Sequence, residues 1–193
     1  MKNKKHGFTL LELMVTVAIV GIVASIALWS SSNMLEENRA ENFLLELKRN
    51  VSYARSQAAS SDEIVIVCPV QFNALKRNDQ QLPCRNNWDK NKIIIVFIDK
   101  INSKEDRDKN KVSYNSPGDS LLRVMEKIGP NDKLKYTGNE SMLRFNTSGR
   151  ITTKPGDFVY CPNSGSGSEN VKALTITQSG TAFYLGDNEN KCG

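Results

Sequence analysis

The first thirty positions of the chain are far more apolar than the rest. From Phe8 to Leu28 the only charged residue is Glu12. A helix of that length extends about 31 Å, close to the thickness of the hydrocarbon core of a bilayer. The pattern therefore predicts a membrane-spanning helix with one carboxylate inside it. A charge placed there costs about 2.5–3.5 kcal/mol on insertion scales, so we expect Glu12 to have a function.

The apolar pattern continues beyond this segment with the period of an amphipathic helix. Apolar residues recur at steps of three and four, at Ala40, Leu44, Leu47, Val51, Ala54 and Ala58. The charged residues of the same stretch lie mostly off this stripe, which is typical of a helix with one buried face. We therefore predict one helix over residues 8–59. Its first part, residues 8–29, is the membrane segment or filament core.

After position 60 the pattern changes to that of strands. The β-branched runs at 64–68 and 93–98 predict buried strands. Shorter candidates, separated by turn sequences, lie at 111–115, 120–124, 141–145, 157–161, 172–177 and 181–185. Many short strands without helices between them predict an antiparallel sheet. The predicted fold class is α+β, with a long N-terminal helix packed on a C-terminal antiparallel β-sheet domain, residues 60–193.

Much of the excess positive charge of the chain lies at its N-terminus. The formal net charge is +5, and three lysines, Lys2, Lys4 and Lys5, precede the apolar run. Without them, 23 bases face 21 acids. Lysines in front of a span predict a cytoplasmic N-terminus and an outward C-terminal domain.

Histidine is confined to the same leader. The one histidine is His6, so a chain processed after residue 7 has none. That removes histidine general bases, Ser-His-Asp and Cys-His systems and His-ligated metal sites. The missing histidine does not exclude an enzyme, but it excludes these commonest chemistries. Our prediction is a protein that is not an enzyme and needs no cofactor.

The junction before the apolar run carries a resemblance. KKHG followed by FTLLELMVTVAIVGIVA resembles the class III leader of type IV pilins and type II secretion pseudopilins. The resemblance implies that a prepilin peptidase removes residues 1–7 by cutting between Gly7 and Phe8, and that the amine of Phe8 is then methylated. It also implies that Glu12 meets this amine on a neighbouring subunit, where opposite charges offset each other's desolvation. The alternative is a plain membrane anchor that tolerates an acid near the interface.

The downstream sequence resembles a narrower group. YARSQAASSDEIVIVCP, a second cysteine, NWDKNKIIIVFIDK and LRFNTSGR are similar to the GspH/FimT/FimU family of minor pilins and pseudopilins. The resemblance implies an inner-membrane protein that later joins the initiation and tip complex of a type IV pilus and primes its assembly. Its partners would be other minor pilins and the major pilin, and its final location the pilus tip, the cell surface or the periplasm. A type II secretion pseudopilin is the alternative that sequence separates poorly.

Four cysteines follow the apolar run, which suits an oxidising compartment. They permit three pairings. We favour Cys68–Cys84, which closes a small loop, and Cys161–Cys192, which ties the tail to the strand at 157–161 as in FimU-like proteins. A four-cysteine zinc site is the alternative, but neither pair has the short C-x-x-C spacing. The stretch at 99–111 mixes four acids with five bases. It lacks the alternate acids and the central glycine of a calcium loop, so we predict a solvated hairpin loop and no metal site there.

Nucleic acid is a competing partner. Some FimT-type relatives bind DNA through a Gly-Arg-x-Arg motif in a C-terminal turn. The corresponding turn here is QSGTAFYL, in which Thr181 and Phe183 replace the two arginines. Arg150 and Lys154 remain as candidates for weak DNA contact, whereas phosphate binding needs several converging cations. We therefore treat a DNA-binding minor pilin in DNA uptake as an alternative function.

Overall fold

The computed structural model describes residues 8–89, 91–100, 112–162 and 170–188, without the side chains of residues 27–33. The chain divides into two compact units, one ending at Glu36 and one beginning at Glu37. Helix α1, Leu10–Ser61, is continuous through that boundary. A single long helix is therefore present, as the sequence predicts, and it begins and ends two residues later than predicted.

The first unit exposes apolar side chains on all sides of α1. The exposed fraction is 76% for Leu10, 50% for Val15 and 68% for Ile26. A helix that is apolar all round is covered by other apolar material when it is in place. No helix within the described residues is both long and apolar enough to cross a membrane. The side chains of residues 27 and 28, at the end of the predicted span, lie outside the described part.

In the second unit, α1 buries the face that its periodicity predicts. The six residues of the buried stripe are 0% exposed: Ala40, Leu44, Leu47, Val51, Ala54 and Ala58. Three of the six are alanines, so the helix approaches the sheets closely. The buried stripe packs into one apolar core with strands from two sheets. The period of three and four thus reports the buried face of this helix correctly.

The described part of the second unit contains one short helix and ten strands. The helix is α2 (Phe72–Lys76), and the strands are β1 (Val65–Gln71), β2 (Gln81–Pro83), β3 (Lys92–Ile98), β4 (Ser113–Asn115), β5 (Ser120–Val124), β6 (Lys133–Tyr136), β7 (Leu143–Phe145), β8 (Gly156–Cys161), β9 (Lys172–Ile176) and β10 (Ala182–Asp187). They form sheets of order β5-β3-β1-β7, β10-β9-β8-β6 and β2-β4. Every named pairing is antiparallel, so the fold is α+β as predicted.

Strands β1 and β3 have long apolar runs because both of their faces are buried. They pair in one register from Val65↔Ile98 to Gln71↔Lys92. Alternate side chains, such as Val67 and Val96, join the core beneath α1. The intervening ones join a second apolar cluster on the opposite face, together with Leu82 and Cys84. A strand that is covered on both sides has no position where a polar residue is favoured.

The second cluster is covered by the small β2-β4 sheet, which is attached covalently. Cys68 of β1 and Cys84, just after β2, form a disulfide. The backbone N–H of Cys84 also donates to the carbonyl of Val112 at 2.8 Å. Cys161 is buried at the end of β8, but Cys192 lies outside the described residues. The Cys161–Cys192 pairing therefore stays a prediction.

Three elements were not predicted from the sequence. The segment between Cys68 and Cys84 was expected to be a loop, but it contains α2 and β2. β6 was also missed, although Leu134 and Tyr136 alternate with two lysines as in a half-buried strand. Most of the predicted loop at 99–111 lies outside the described residues.

Candidate functional site

Glu12 lies in the first turn of α1. Thr9 stands just before the helix, and its Oγ1 accepts a hydrogen bond from the backbone N–H of Glu12 at 3.2 Å. This Thr-x-x-Glu spacing is that of a capping box, and a carboxylate in the first turn also complements the helix dipole. Glu12 thus has a local role in its own chain. Its side chain remains exposed and available to a neighbour.

The residues around Glu12 form an apolar surface. Phe8 is 85% exposed, and Gly7, on the other side of the predicted cleavage point, lies outside the described residues. Large apolar side chains that are at least half exposed follow along the helix: Leu10, Leu11, Leu13, Met14, Val15, Val17, Ile19, Val20, Ile22, Val23 and Ile26. Exposed apolar surface of this extent marks an interaction site. Chemically, it can pack against other apolar helices and offer one carboxylate to a cation.

A half-buried ion pair joins α1 to Asp132 near the point where the second unit begins. Arg39 Nε lies 2.8 Å from Asp132 Oδ2, and Arg39 Nη2 donates to Asp132 Oδ1 at 2.9 Å. The hydroxyl of Tyr160 donates to Asp132 Oδ2 at 2.6 Å. The Asp132 side chain is 1% exposed and that of Arg39 47%. Burial raises the pKa of the Tyr160 hydroxyl, and its hydrogen bond to the carboxylate raises it further.

A buried lysine makes a second attachment nearby. Lys172 Nζ lies 2.8 Å from Glu37 Oε1 of α1 and also forms an ion pair with Asp187 of β10. Its side chain is only 5% exposed. Burial by itself lowers the pKa of this amine, but the hydrogen bonds to Asp187 and Glu37 outweigh it and the pKa is raised. Sequence reasoning missed this inward-facing lysine, although its alternation with Leu174 and Ile176 along β9 is the signal that could have found it.

Two turns pack against the other end of α1. Arg55 Nη1 donates to Thr181 Oγ1 at 3.0 Å. A Cβ on Gly149 would lie 3.1 Å from the carbonyl oxygen of Arg55, and a Cβ on Gly180 only 2.5 Å from the carbonyl oxygen of Gly149. Both glycines have positive φ, +70° and +80°. The turn at 177–181, which has no arginine of its own, therefore receives a guanidinium from the helix.

The two residues predicted for weak DNA contact do not form a strong anion site. Arg150 and Lys154 are both exposed. However, the carboxylate of Glu140 accepts a hydrogen bond from the backbone N–H of Lys154 at 3.3 Å. This acid lowers the positive potential beside one of the two cations. Phe183 is 51% exposed and adds apolar surface where the DNA-binding relatives have arginine.

A more basic surface lies between α1 and β5 and was not predicted. A groove of about 510 Å³ is lined by Leu45, Lys48, Arg49, Ser52, Tyr53 and Arg123. The guanidinium carbon of Arg123 lies 3.8 Å from the centre of the Tyr53 ring. We call this surface the basic groove. Among the described residues, no group of three or more His, Cys, Asp or Glu side chains is placed to hold a metal ion.

Comparison with known protein families shows which family the chain belongs to. The family model described as "Type II transport protein GspH" matches residues 45–180, and the one described as "Prokaryotic N-terminal methylation motif" matches residues 2–28. The chain belongs to the GspH family. It is a type IV minor pilin or pseudopilin, a structural subunit and not an enzyme.

Individual relatives agree with this assignment. Two proteins of Dichelobacter nodosus, each described as "Probable minor fimbrial protein", are 49% and 46% identical over 44 residues. These matches cover 23% of this chain and 28% of each relative. The crystal structure of the type IV minor pilin FimU of Pseudomonas aeruginosa superposes with a TM-score of 0.50 at 18% identity, covering 78% of this chain and 91% of FimU. That similarity supports the fold.

Proposed function

We propose that this chain is a minor pilin that joins the initiation and tip complex of a type IV pilus and primes its assembly. In this proposal, prepilin peptidase cuts between Gly7 and Phe8 while the N-terminus is cytoplasmic. The anchored subunit then moves from the inner membrane into the filament. The observation that carries the proposal is the apolar surface of residues 8–26, exposed on all sides of α1 with Glu12 as its one charge.

The estimated free energies of burial and of ion pairing indicate different roles for the apolar side chains and for Glu12. Covering one exposed leucine or isoleucine side chain contributes about 1.5–3 kcal/mol, so the apolar surface supplies the drive for lateral packing. The desolvation cost of Glu12, about 2.5–3.5 kcal/mol, is similar to the attraction of an amine 4 Å away, about 4 kcal/mol at an effective dielectric constant of 20. The pair therefore adds little strength. It selects arrangements in which a neighbour's Phe8 amine lies beside Glu12 and penalises the others.

Substitution of Glu12 tests this role. In cells that make the full chain, Glu12→Gln should still lose residues 1–7 and enter the membrane, because neither the cleavage point nor the apolar run changes. Its cross-linking to other pilins and its incorporation into filaments should fall. Glu126→Gln, which neutralises an exposed acid of the second unit, is the matched control. Normal incorporation of the Glu12→Gln subunit would remove the basis of the proposal.

The cap that Thr9 provides at the start of α1 requires a separate control. Thr9→Val removes the hydroxyl that accepts the Glu12 N–H but keeps the carboxylate. If Thr9→Val impairs incorporation as strongly as Glu12→Gln, Glu12 acts through the start of its own helix. If Thr9→Val is close to wild type, the charge itself is needed, as we propose.

The description of the matching family favours one second candidate, a pseudopilin of a type II secretion system. The chemistry of the apolar surface and Glu12 is the same in both cases, and the machine served differs. Deletion of the gene separates them. Loss of surface pili with normal export of secreted proteins supports the pilus role, and the opposite result supports the secretion role.

A further inference from the structure

We propose that the basic groove binds an acidic segment of a neighbouring pilin-type subunit. The groove is built on regular structure. Leu45, Lys48, Arg49 and Ser52 recur at helical spacing along one side of α1, next to the buried stripe, and Arg123 comes from β5. Positions three and four apart on a helix are neighbours on its surface. Three cationic side chains therefore line one groove on a rigid frame.

These cations have no acidic partner in the described part of the chain. Other cations that contact or lie near α1 are engaged there: Arg39 binds Asp132, Lys172 binds Glu37, and Arg55 donates to Thr181. By contrast, no salt bridge or side-chain hydrogen bond is formed by Lys48 or Arg49 within the described residues. Adjacent like charges repel each other, so an arriving anion gains from all of them.

The aromatic residue of the groove favours a protein over a single-stranded nucleic acid. Proteins bind single strands by stacking bases on open aromatic faces. Here the guanidinium of Arg123 already lies over the Tyr53 ring. This contact also restrains the Arg123 side chain. Less conformational entropy is therefore lost when its guanidinium group forms a bidentate pair of hydrogen bonds with a carboxylate.

The surroundings of the groove also suit a protein partner. β5 is at the end of its sheet order, and two of its apolar side chains, Leu121 and Val124, are 38% and 45% exposed. Leu45 adds apolar surface inside the groove. Apolar contact beside a cluster of cations matches a segment that alternates glutamates with apolar residues, whereas the backbone of duplex DNA offers phosphates alone. We therefore take the occupant to be an acidic segment of a second pilin-type subunit that carries apolar residues among its glutamates.

Site-specific photo-cross-linking in the full chain tests the inference, which rests on the proposed function for the identity of the neighbour. A photoreactive phenylalanine analogue at Ser52 should cross-link to another pilin-type subunit, and mass spectrometry should locate the adduct in an acidic segment. Lys48→Glu/Arg49→Glu should reduce this product about tenfold or more, because attraction becomes repulsion at two positions. Lys76→Glu/Arg85→Glu changes the net charge equally at exposed positions elsewhere and should change the product less than twofold.

The outcomes separate this inference from the proposed function. Three outcomes would overturn the groove inference. The adduct could persist after charge reversal at Lys48 and Arg49, it could decrease equally in the control variant, or it could map to a segment without acidic residues. Each of them leaves the assembly role intact if Glu12→Gln still blocks incorporation. Lys48→Gln/Arg49→Gln gives a milder variant if the reversed one does not fold. Finally, full-length protein in detergent should bind a glutamate-rich peptide more tightly than duplex DNA, and the reverse order would overturn the inference.

Discussion

The Arg39–Asp132–Tyr160 cluster leads to a quantitative prediction about how the second unit holds α1. Arg39→Met keeps the length and apolar stem of the side chain and removes both N–H donors to Asp132. Asp132 is fully buried, so its carboxylate keeps the hydrogen bond from the Tyr160 hydroxyl but loses both guanidinium N–H groups. The folded state should therefore lose much of the compensation for burying that charge.

The expected magnitude follows from the exposure of the two partners. Removing one partner of a fully buried ion pair lowers the free energy of unfolding by about 3–5 kcal/mol. The Arg39 side chain is 47% exposed, so water can replace part of what it donates. We therefore expect about 2–3 kcal/mol. Tyr160→Phe removes one hydrogen bond to a charged group and should cost about 1.5–3 kcal/mol. Adding Asp132→Asn to Arg39→Met should cost less than the sum of the single changes, because the buried negative charge that Arg39 balances is then removed as well.

Urea unfolding of the full chain in detergent, followed by tryptophan fluorescence, measures these differences. The chain has two tryptophans. Trp88 is 3% exposed and lies 4.8 Å from the Phe158 ring, centre to centre. A Trp29→Phe background makes Trp88 the sole reporter of the core. Strictly additive costs for Arg39→Met and Asp132→Asn would refute the reasoning, because they would mean that the two side chains do not interact energetically.

Three further predictions use the same assay. Gly180→Ala should lower the free energy of unfolding by about 1–3 kcal/mol, because its Cβ would lie 2.5 Å from the Gly149 carbonyl oxygen. Gly186→Ala is the control, since Gly186 also has a positive φ but a Cβ there would have nothing within 4 Å, and it should cost about 1 kcal/mol. Equal costs would contradict the contact at Gly180. Replacing Cys68 and Cys84 with alanines should cost about 3 kcal/mol for a loop of 16 residues, and unchanged stability would argue against the disulfide. The pKa of the Tyr160 hydroxyl is raised in the folded state, so the folded state keeps a proton that the unfolded state loses above about pH 10. The free energy of unfolding should therefore be unaffected by this group below that pH and should fall above it. The fall should be less steep in Tyr160→Phe, and the same pH dependence in both proteins would contradict the shift.

The helix and the central strands could be predicted because their patterns are local. The buried stripe needs nothing but a period of three and four, and all six predicted residues are fully buried. β1 and β3 are runs of β-branched residues, and that composition persists because both faces are covered. Even Pro69 fits within β1, since its carbonyl accepts from Arg85 outside the β1–β3 pairing and its missing N–H interrupts no bond to β3.

Strand β6 and the inward-facing Lys172 left a local alternation in the sequence, but the other features that were missed depend on contacts between distant residues. β2 is a strand because Leu82 covers the second cluster and Cys84 is linked to Cys68, which no local pattern states. Asp132 looks like an ordinary surface charge in the sequence, and the partners of Asp132 and Lys172, Arg39 and Glu37, are 93 and 135 residues away. The basic groove was missed for the same reason: Arg123 is brought to Tyr53 by the packing of β5 beside α1. The N-terminal methylation motif could be recognised because its signal is local and lies within residues 2–28. Cleavage between Gly7 and Phe8 and the role of Glu12 stay predictions.

The continuity of α1 has a mechanical consequence. Helix α1 is unbroken from Leu10 to Ser61, so tension applied to its first half is carried along the backbone into the second unit. Two side-chain attachments, Glu37 to Lys172 and Arg39 to Asp132, precede the buried stripe along the helix. Single-molecule stretching should therefore release the helix at lower force when Asp132 is replaced, and an unchanged rupture force would contradict this. These two ion pairs therefore resist detachment of the helix at the end of the second unit where the pulling force enters.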